Sequence, residues 1–141
     1  MFEVEVIGDI TGKARPGMNT YTGIAYTPTK TKYYEYLVKK AFQDKYGGIE
    51  LIPGDVAVKV TIVAYFGVPK SASNKKVQRM LAHLIRPTKK PDIDNITKIV
   101  LDAMNKFVIY DDTQVVELEV KKYYSKAPKT YVKVEELNYD E

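Results

Sequence analysis

The 141-residue chain carries 22 Lys/Arg against 18 Asp/Glu, a formal net charge of +4 and a pI near 9.0. A chain of this length is expected to fold as one domain over residues 1–141 and to bury about 68–70% of the surface its unfolded form exposes. With no cysteine and 1 histidine, disulfides, a thiolate zinc site and a cysteine nucleophile are excluded, imidazole ligation of a metal nearly so, and an intracellular setting is the simplest reading.

The acidic, alternating start Met1-Phe-Glu-Val-Glu-Val is unlike a signal peptide, and no apolar run approaches the ~20 residues that span a bilayer. A soluble, cytoplasmic protein without a membrane partner is expected. Charge is segregated along the chain: residues 1–90 hold 15 Lys/Arg against 7 Asp/Glu, whereas residues 91–141 hold 7 against 11. Such a division fits a protein that attracts a polyanion with one part and binds cations with another.

Phe2, Val4 and Val6 alternate with Glu3 and Glu5, which predicts an edge or first strand with one buried face. The Gly-, Thr- and Asn-rich run from Gly8 to Thr31 predicts a long irregular loop. Within it Lys13 and Arg15, with Tyr21 and Tyr26 nearby, are candidates for phosphate contact and base stacking. After Pro28, either Thr29 or Thr31 is placed to cap a helix carrying Tyr34, Leu37, Val38, Ala41 and Phe42 on one face, stopped by Gly47-Gly48. The apolar content on both faces of Val56–Phe66 predicts a central strand.

Ser71 or Ser73 can cap a second helix with Val77, Met80, Leu81, Leu84 and Ile85 on one face and His83 within it. From Lys70 to Lys90 the chain has seven Lys/Arg and no acid: Lys70, Lys75, Lys76, Arg79, Arg86, Lys89 and Lys90. A solvated face ordinarily mixes both signs, so this run reads as a DNA-binding surface.

From Asp94 to Phe107 a helical step of ~100° places Asp94, Asn95, Lys98, Asp102 and Asn105 in one narrow polar stripe on an otherwise apolar helix. Such a helix is expected to be buried, with its stripe lining a cleft or an interface, and with Lys98 between Asp94 and Asp102. Asp111-Asp112 follows in a turn, then a strand from Val116 to Lys121 and a last strand from Thr130 to Leu137. The turn allows Asp112 to come back to Asp92 and Asp94 at the start of the helix.

Three carboxylates in one place repel one another and raise one another's pKa unless a cation neutralises them. Oxygen ligands without cysteine or histidine point to Mg²⁺, with Mn²⁺ as a substitute. One or two such ions polarise a phosphodiester and activate water, and Lys98 is placed to neutralise charge developing on the phosphate. Taken singly, Asp92 or Asp94 is equally an ordinary N-cap and Asp111-Asp112 an ordinary turn.

Lys-Lys-Pro-Asp-Ile-Asp-Asn-Ile-Thr-Lys (89–98), Leu-Asp-Ala-Met-Asn (101–105) and Asp-Asp-Thr-Gln-Val-Val-Glu (111–117) resemble the RusA family of Holliday junction resolvases, particularly its prophage members. Lys13-Ala-Arg-Pro and Tyr26-Thr-Pro-Thr-Lys resemble its N-terminal segment more loosely. The resemblance implies a homodimeric α+β fold, a single domain with a mixed β-sheet and two to three helices. It implies a Mg²⁺- or Mn²⁺-dependent endonuclease that binds four-way DNA junctions and nicks them symmetrically. The family's essential acids fall on Asp92, Asp94 and Asp112, its essential lysine on Lys98, and supporting acidic positions on Asp111 and Asp102, with Asn95 beside them. The Gly-Met-Asn-Thr-Tyr-Thr-Gly run (17–23) is less basic than the family pattern. A two-fold junction suits two identical sites, and the apolar face of the Asp94–Phe107 helix is expected to serve part of the dimer interface. Two other functions compete: a non-catalytic DNA-binding module, and a less selective nuclease acting on flaps or branched DNA.

Overall fold

The structure, a computed structural model, describes residues 1–12, 17–26 and 28–137, with Tyr26 described by its backbone alone. In chain order the elements are β1 (Phe2–Ile7), β2 (Gly17–Met18), β3 (Ala25–Tyr26), α1 (Thr29–Tyr46), β4 (Val58–Gly67), α2 (Asn74–Leu81), α3 (Ile93–Met104), a 3-10 turn (Asp112–Gln114), β5 (Val115–Ser125) and β6 (Lys129–Glu136).

Period-two patterning builds the sheet. In β4, Val58, Val60, Ile62, Ala64 and Phe66 point to one side and are buried, while Lys59, Thr61, Val63 and Tyr65 point to the other and are half-buried. Four strands pair in the order β1-β6-β4-β5. β1–β6 and β6–β4 are antiparallel and β4–β5 is parallel, so the sheet is mixed, with β4 inside and β1 at one edge, as their patterns predict. Because the parallel β4–β5 pair needs a crossover, α2 and α3 fill the connection between them. Their course sets which end of the sheet each acidic residue reaches.

α1 and α3 pack against each other and with β1 and β5. The buried side chains of α1 are Thr31, Tyr34, Val38 and Phe42, and those of α3 are Ile96, Ile99, Val100, Ala103 and Met104. Together with Val4, Val6, Val132 and Val134 of the strands they form the hydrophobic core. The apolar face of α3 is therefore spent inside the chain, not on a dimer interface. Among its apolar residues Ile93 is exposed.

Three local expectations are corrected. α1 starts at Thr29 with Pro28 at its N-cap and no side-chain cap, and Thr31 lies inside the helix, buried. Proline's fixed φ suits a helix start, and its carbonyl accepts the Lys32 N–H at 3.1 Å. α2 is short: Ser73 caps it, accepting from the Lys76 N–H, but it closes at Leu81, and His83 lies beyond it in the left-handed region at φ 64°. The 8–31 loop contains the small β2–β3 hairpin, whose turn is held by Asn19 Oδ1 accepting from the Tyr21 and Thr22 N–H groups at 2.9 and 3.2 Å.

Candidate active site

α3 begins where Asp92 stands in extended conformation and its Oδ1 accepts the Asn95 N–H at 2.9 Å. This is an N-cap, satisfying one of the helix's free amide groups. Asp94 follows in the first turn, where a negative charge complements the positive end of the helix dipole. One turn on, Lys98 Nζ pairs with Asp94 Oδ2 at 3.0 Å, both side chains being largely exposed. The stripe Asp94, Lys98 and Asp102 faces solvent, and Asn95, half-buried, lines a cleft of about 300 Å³ with Gly12, Lys90 and Pro91.

Gly12 makes this cleft possible. A Cβ at residue 12 would meet Pro91 Cβ at 2.7 Å and Asn95 Cβ at 3.1 Å, so only glycine lets the segment after β1 pass this close to the start of α3. A second cleft of about 300 Å³ opens beside the first, lined by Asp9, Ile10, Phe66, Lys89, Lys90 and Pro91. Lys89 and Lys90 are exposed there, as are Lys75, Lys76 and Arg79 on α2. Lys13 and Arg15 lie outside the described residues, as does the side chain of Tyr26. Tyr21 projects fully into solvent at the hairpin turn.

Arg86 is exposed but engaged. Its Nε donates to the Lys122 carbonyl at 2.6 Å and its guanidinium lies 3.9 Å from the Tyr123 ring centroid. It anchors the segment before the acidic motif to β5, a role that its place in a basic run gave no hint of.

Asp111 and Gln114 build the turn that carries Asp112. Gln114 is buried, and its Oε1 accepts the Tyr110 and Asp111 N–H groups at 2.7 and 3.0 Å. Its Nε2 donates to the Pro53 and Val56 carbonyls, each at 2.9 Å. Asp111 Oδ2 accepts from Thr113 Oγ1 at 2.6 Å, and this bond holds the Asp111 carboxyl below the usual carboxylate range, aided by the Lys106 charge. Residues 111–114 thus read as a capping box of the Asp-x-x-Gln kind. Asp112 is left exposed at its centre.

The expected return of Asp112 to Asp92 and Asp94 does not occur within the chain. Lys122 Nζ donates to the Lys89 carbonyl at 2.6 Å, so the start of α3 lies near the C-terminal part of β5. Asp112 immediately precedes β5, at the end where Val115 pairs with Val58. Between the two ends runs α3, 12 residues long and hence about 18 Å. Among the described residues no group of three His, Asp or Glu is arranged to hold a metal ion. At the α3 end Asp92 and Asp94 offer oxygen ligands alone. That donor set suits Mg²⁺, which keeps several waters and is commonly bound through one or two carboxylates plus substrate phosphates.

Over residues 8–135 the chain matches the family described as endodeoxyribonuclease RusA. It is also 38% identical over 138 residues to YqaN of Bacillus subtilis (strain 168), a protein described as uncharacterized, with 94% of each chain covered. No helix among the described residues is long and apolar enough to cross a membrane.

Proposed function

The chain belongs to the RusA family of endodeoxyribonucleases, and from that premise we propose that it is a metal-dependent nuclease that resolves four-way DNA junctions as a homodimer. The observation that carries this reading is the exposed start of α3. There two carboxylates, Asp92 and Asp94, stand beside Lys98 and next to clefts lined by Lys89 and Lys90. A hard divalent cation needs the first pair, and a phosphodiester is drawn to the second set of charges.

Asp92 and Asp94 would hold Mg²⁺, with Mn²⁺ as a substitute. When bound, the ion would supply a Lewis acid for phosphodiester hydrolysis and lower the pKa of an attacking water. Lys98 is free to exchange its partner: the exposed ion pair with Asp94 is weak, so its ammonium can turn to a phosphate whose charge grows during cleavage. The basic face of α2 guides the DNA backbone without reading sequence.

Homodimerisation supplies what one chain lacks. The N-terminal half of β5 is an open edge of the sheet, and on it Val116 is 56% and Leu118 46% exposed. An edge with exposed apolar side chains is a template for adding another strand. Two-fold pairing of these halves runs the strands antiparallel, so each N-terminal end lies along the middle of its partner's strand and is directed toward that strand's C-terminal end. That geometry carries the partner subunit's Asp112 toward the end of β5 where Asp92 and Asp94 lie. Each catalytic set then takes Asp92, Asp94 and Lys98 from one chain and Asp112 from the other.

A Mg²⁺-dependent cleavage assay on synthetic four-way, flap and duplex DNA tests the activity. Wild type is expected to cut the junction in preference, and Asp94→Asn to bind it without cutting. Equal cutting of flaps would favour a less selective nuclease. Cleavage unchanged by the substitution would remove the metal site, and junction binding by an uncleaving wild type would favour the non-catalytic module.

A further inference from the structure

Lys122 is the only lysine of β5 that the structure shows holding the chain segment in front of the acidic motif. Its Nζ donates to the Lys89 carbonyl at 2.6 Å, and its own carbonyl accepts from Arg86 Nε at 2.6 Å. One residue of β5 therefore pins residues 86 and 89 at once. Its ammonium lies 5.0 Å from the Phe66 ring centroid, within cation–π range. The side chain is half-buried, directed at protein rather than at solvent. Burial draws its pKa down, and the negative charge of Asp92, near enough to be felt, opposes that shift.

Resting on the nuclease reading above, we propose that Lys122 is a positioning residue of the active site, tying the Lys89–Asp92 turn to β5 and so fixing where the Asp92 carboxylate stands. Lys90 and Pro91 separate Lys89 from Asp92, and proline's ring leaves little backbone freedom to absorb a displacement. A shift of the Lys89 carbonyl therefore passes to Asp92 and to the cap it makes with the Asn95 N–H. Misplacing a catalytic group by 1 Å costs on the order of 100-fold in rate. Junction affinity is expected to hold, because the Lys122 ammonium is turned toward the Lys89 carbonyl and the Phe66 ring. The residue's place in an alternating strand conceals this role from a reading of periodicity.

The test compares Lys122→Met, Lys122→Gln and Lys122→Arg with the wild type in the full chain. Lys122→Met is expected to lose at least about 10-fold in kcat while KM for the junction stays within about twofold. Lys122→Arg, which keeps a cationic donor, is expected to recover most of the rate. Hydrogen exchange provides a readout independent of cleavage. In Lys122→Met the Asn95 amide should lose protection, whereas the β4–β6 amides should keep theirs. Wild-type kcat with unchanged Asn95 protection would overturn the assignment. If Lys122→Met does not fold, Lys122→Gln and Lys122→Arg decide, and equal rates in those two would overturn it. An inactive wild type would count against the nuclease reading alone, since the exchange comparison still reports on Lys122.

Discussion

Asp94 and Asp112 stand at opposite ends of β5. Asp94 lies in the first turn of α3, which Lys122 and Lys89 hold near the strand's C-terminal part, whereas Asp112 opens the 3-10 turn from which the strand starts. The chain's strongest motif, two acidic pairs flanking a helix, is thus divided by the helix itself. The division would give the proposed homodimer a catalytic purpose beyond matching the symmetry of a junction.

Gln114 is expected to be the main support of Asp112. Gln114→Ala would strip the Val56 carbonyl of its side-chain donor, leave the Pro53 carbonyl with the Val56 N–H alone, and remove the acceptor of the Tyr110 and Asp111 amides. Leaving buried groups unsatisfied costs about 1–3 kcal/mol each where water cannot reach them. A loss of about 2–4 kcal/mol in urea denaturation is expected, together with slower cleavage. A change under about 0.5 kcal/mol, the scale of a surface substitution, would show that the amide is not needed to hold the turn.

Tyr34 makes stability sensitive to alkali. Its hydroxyl donates to Thr130 Oγ1 at 2.8 Å, and burial pushes its pKa up to about 12 from the ordinary 10.0. The neutral ring is the form that folding favours. This contribution is therefore fully present below pH 10 and is lost as pH rises toward 12. Tyr131, raised to about 12 chiefly by its hydrogen bond to Glu3, acts in the same direction. Denaturation followed against pH should show stability falling through this window, and Tyr34→Phe should fall less steeply. An equal slope in the variant would assign the alkaline loss to other groups.

The basic face of α2 should act through counterion release. Replacing Lys75, Lys76 and Arg79 together by alanine is expected to weaken junction binding and to lower the slope of log K against log salt by up to about 3, near one unit per phosphate contact. An unchanged slope would place the DNA path elsewhere.

Much of the architecture is legible because burial imposes a period. β1, β4 and β6 alternate, and the buried stripe of α1 repeats at helical spacing. The early end of α2 is not legible, since Leu84 and Ile85 continue the apolar pattern after His83 has turned the backbone into the left-handed region. The N-cap role of Asp92 can be read from the sequence, and so can the capping box from Asp111 to Gln114, because both are local. The separation of Asp94 from Asp112 follows from the length of α3 between them, but which end of β5 each one reaches depends on the parallel β4–β5 pairing, a long-range contact that no local pattern encodes. Lys122 and Arg86 escape notice for the same reason: their partners are 33 and 36 residues away.

Mixing two inactive variants tests the shared site most directly. Asp94→Asn and Asp112→Asn are each expected to abolish cleavage, and co-expressed heterodimers of the two should be isolated with different affinity tags. If Asp112 is supplied by the partner subunit, one site of the heterodimer carries both substitutions and the other carries neither. The heterodimer should then nick one strand of the junction at close to the wild-type rate per site. If each chain builds its own site, both sites carry one substitution. A heterodimer as inactive as its parents would contradict the shared site.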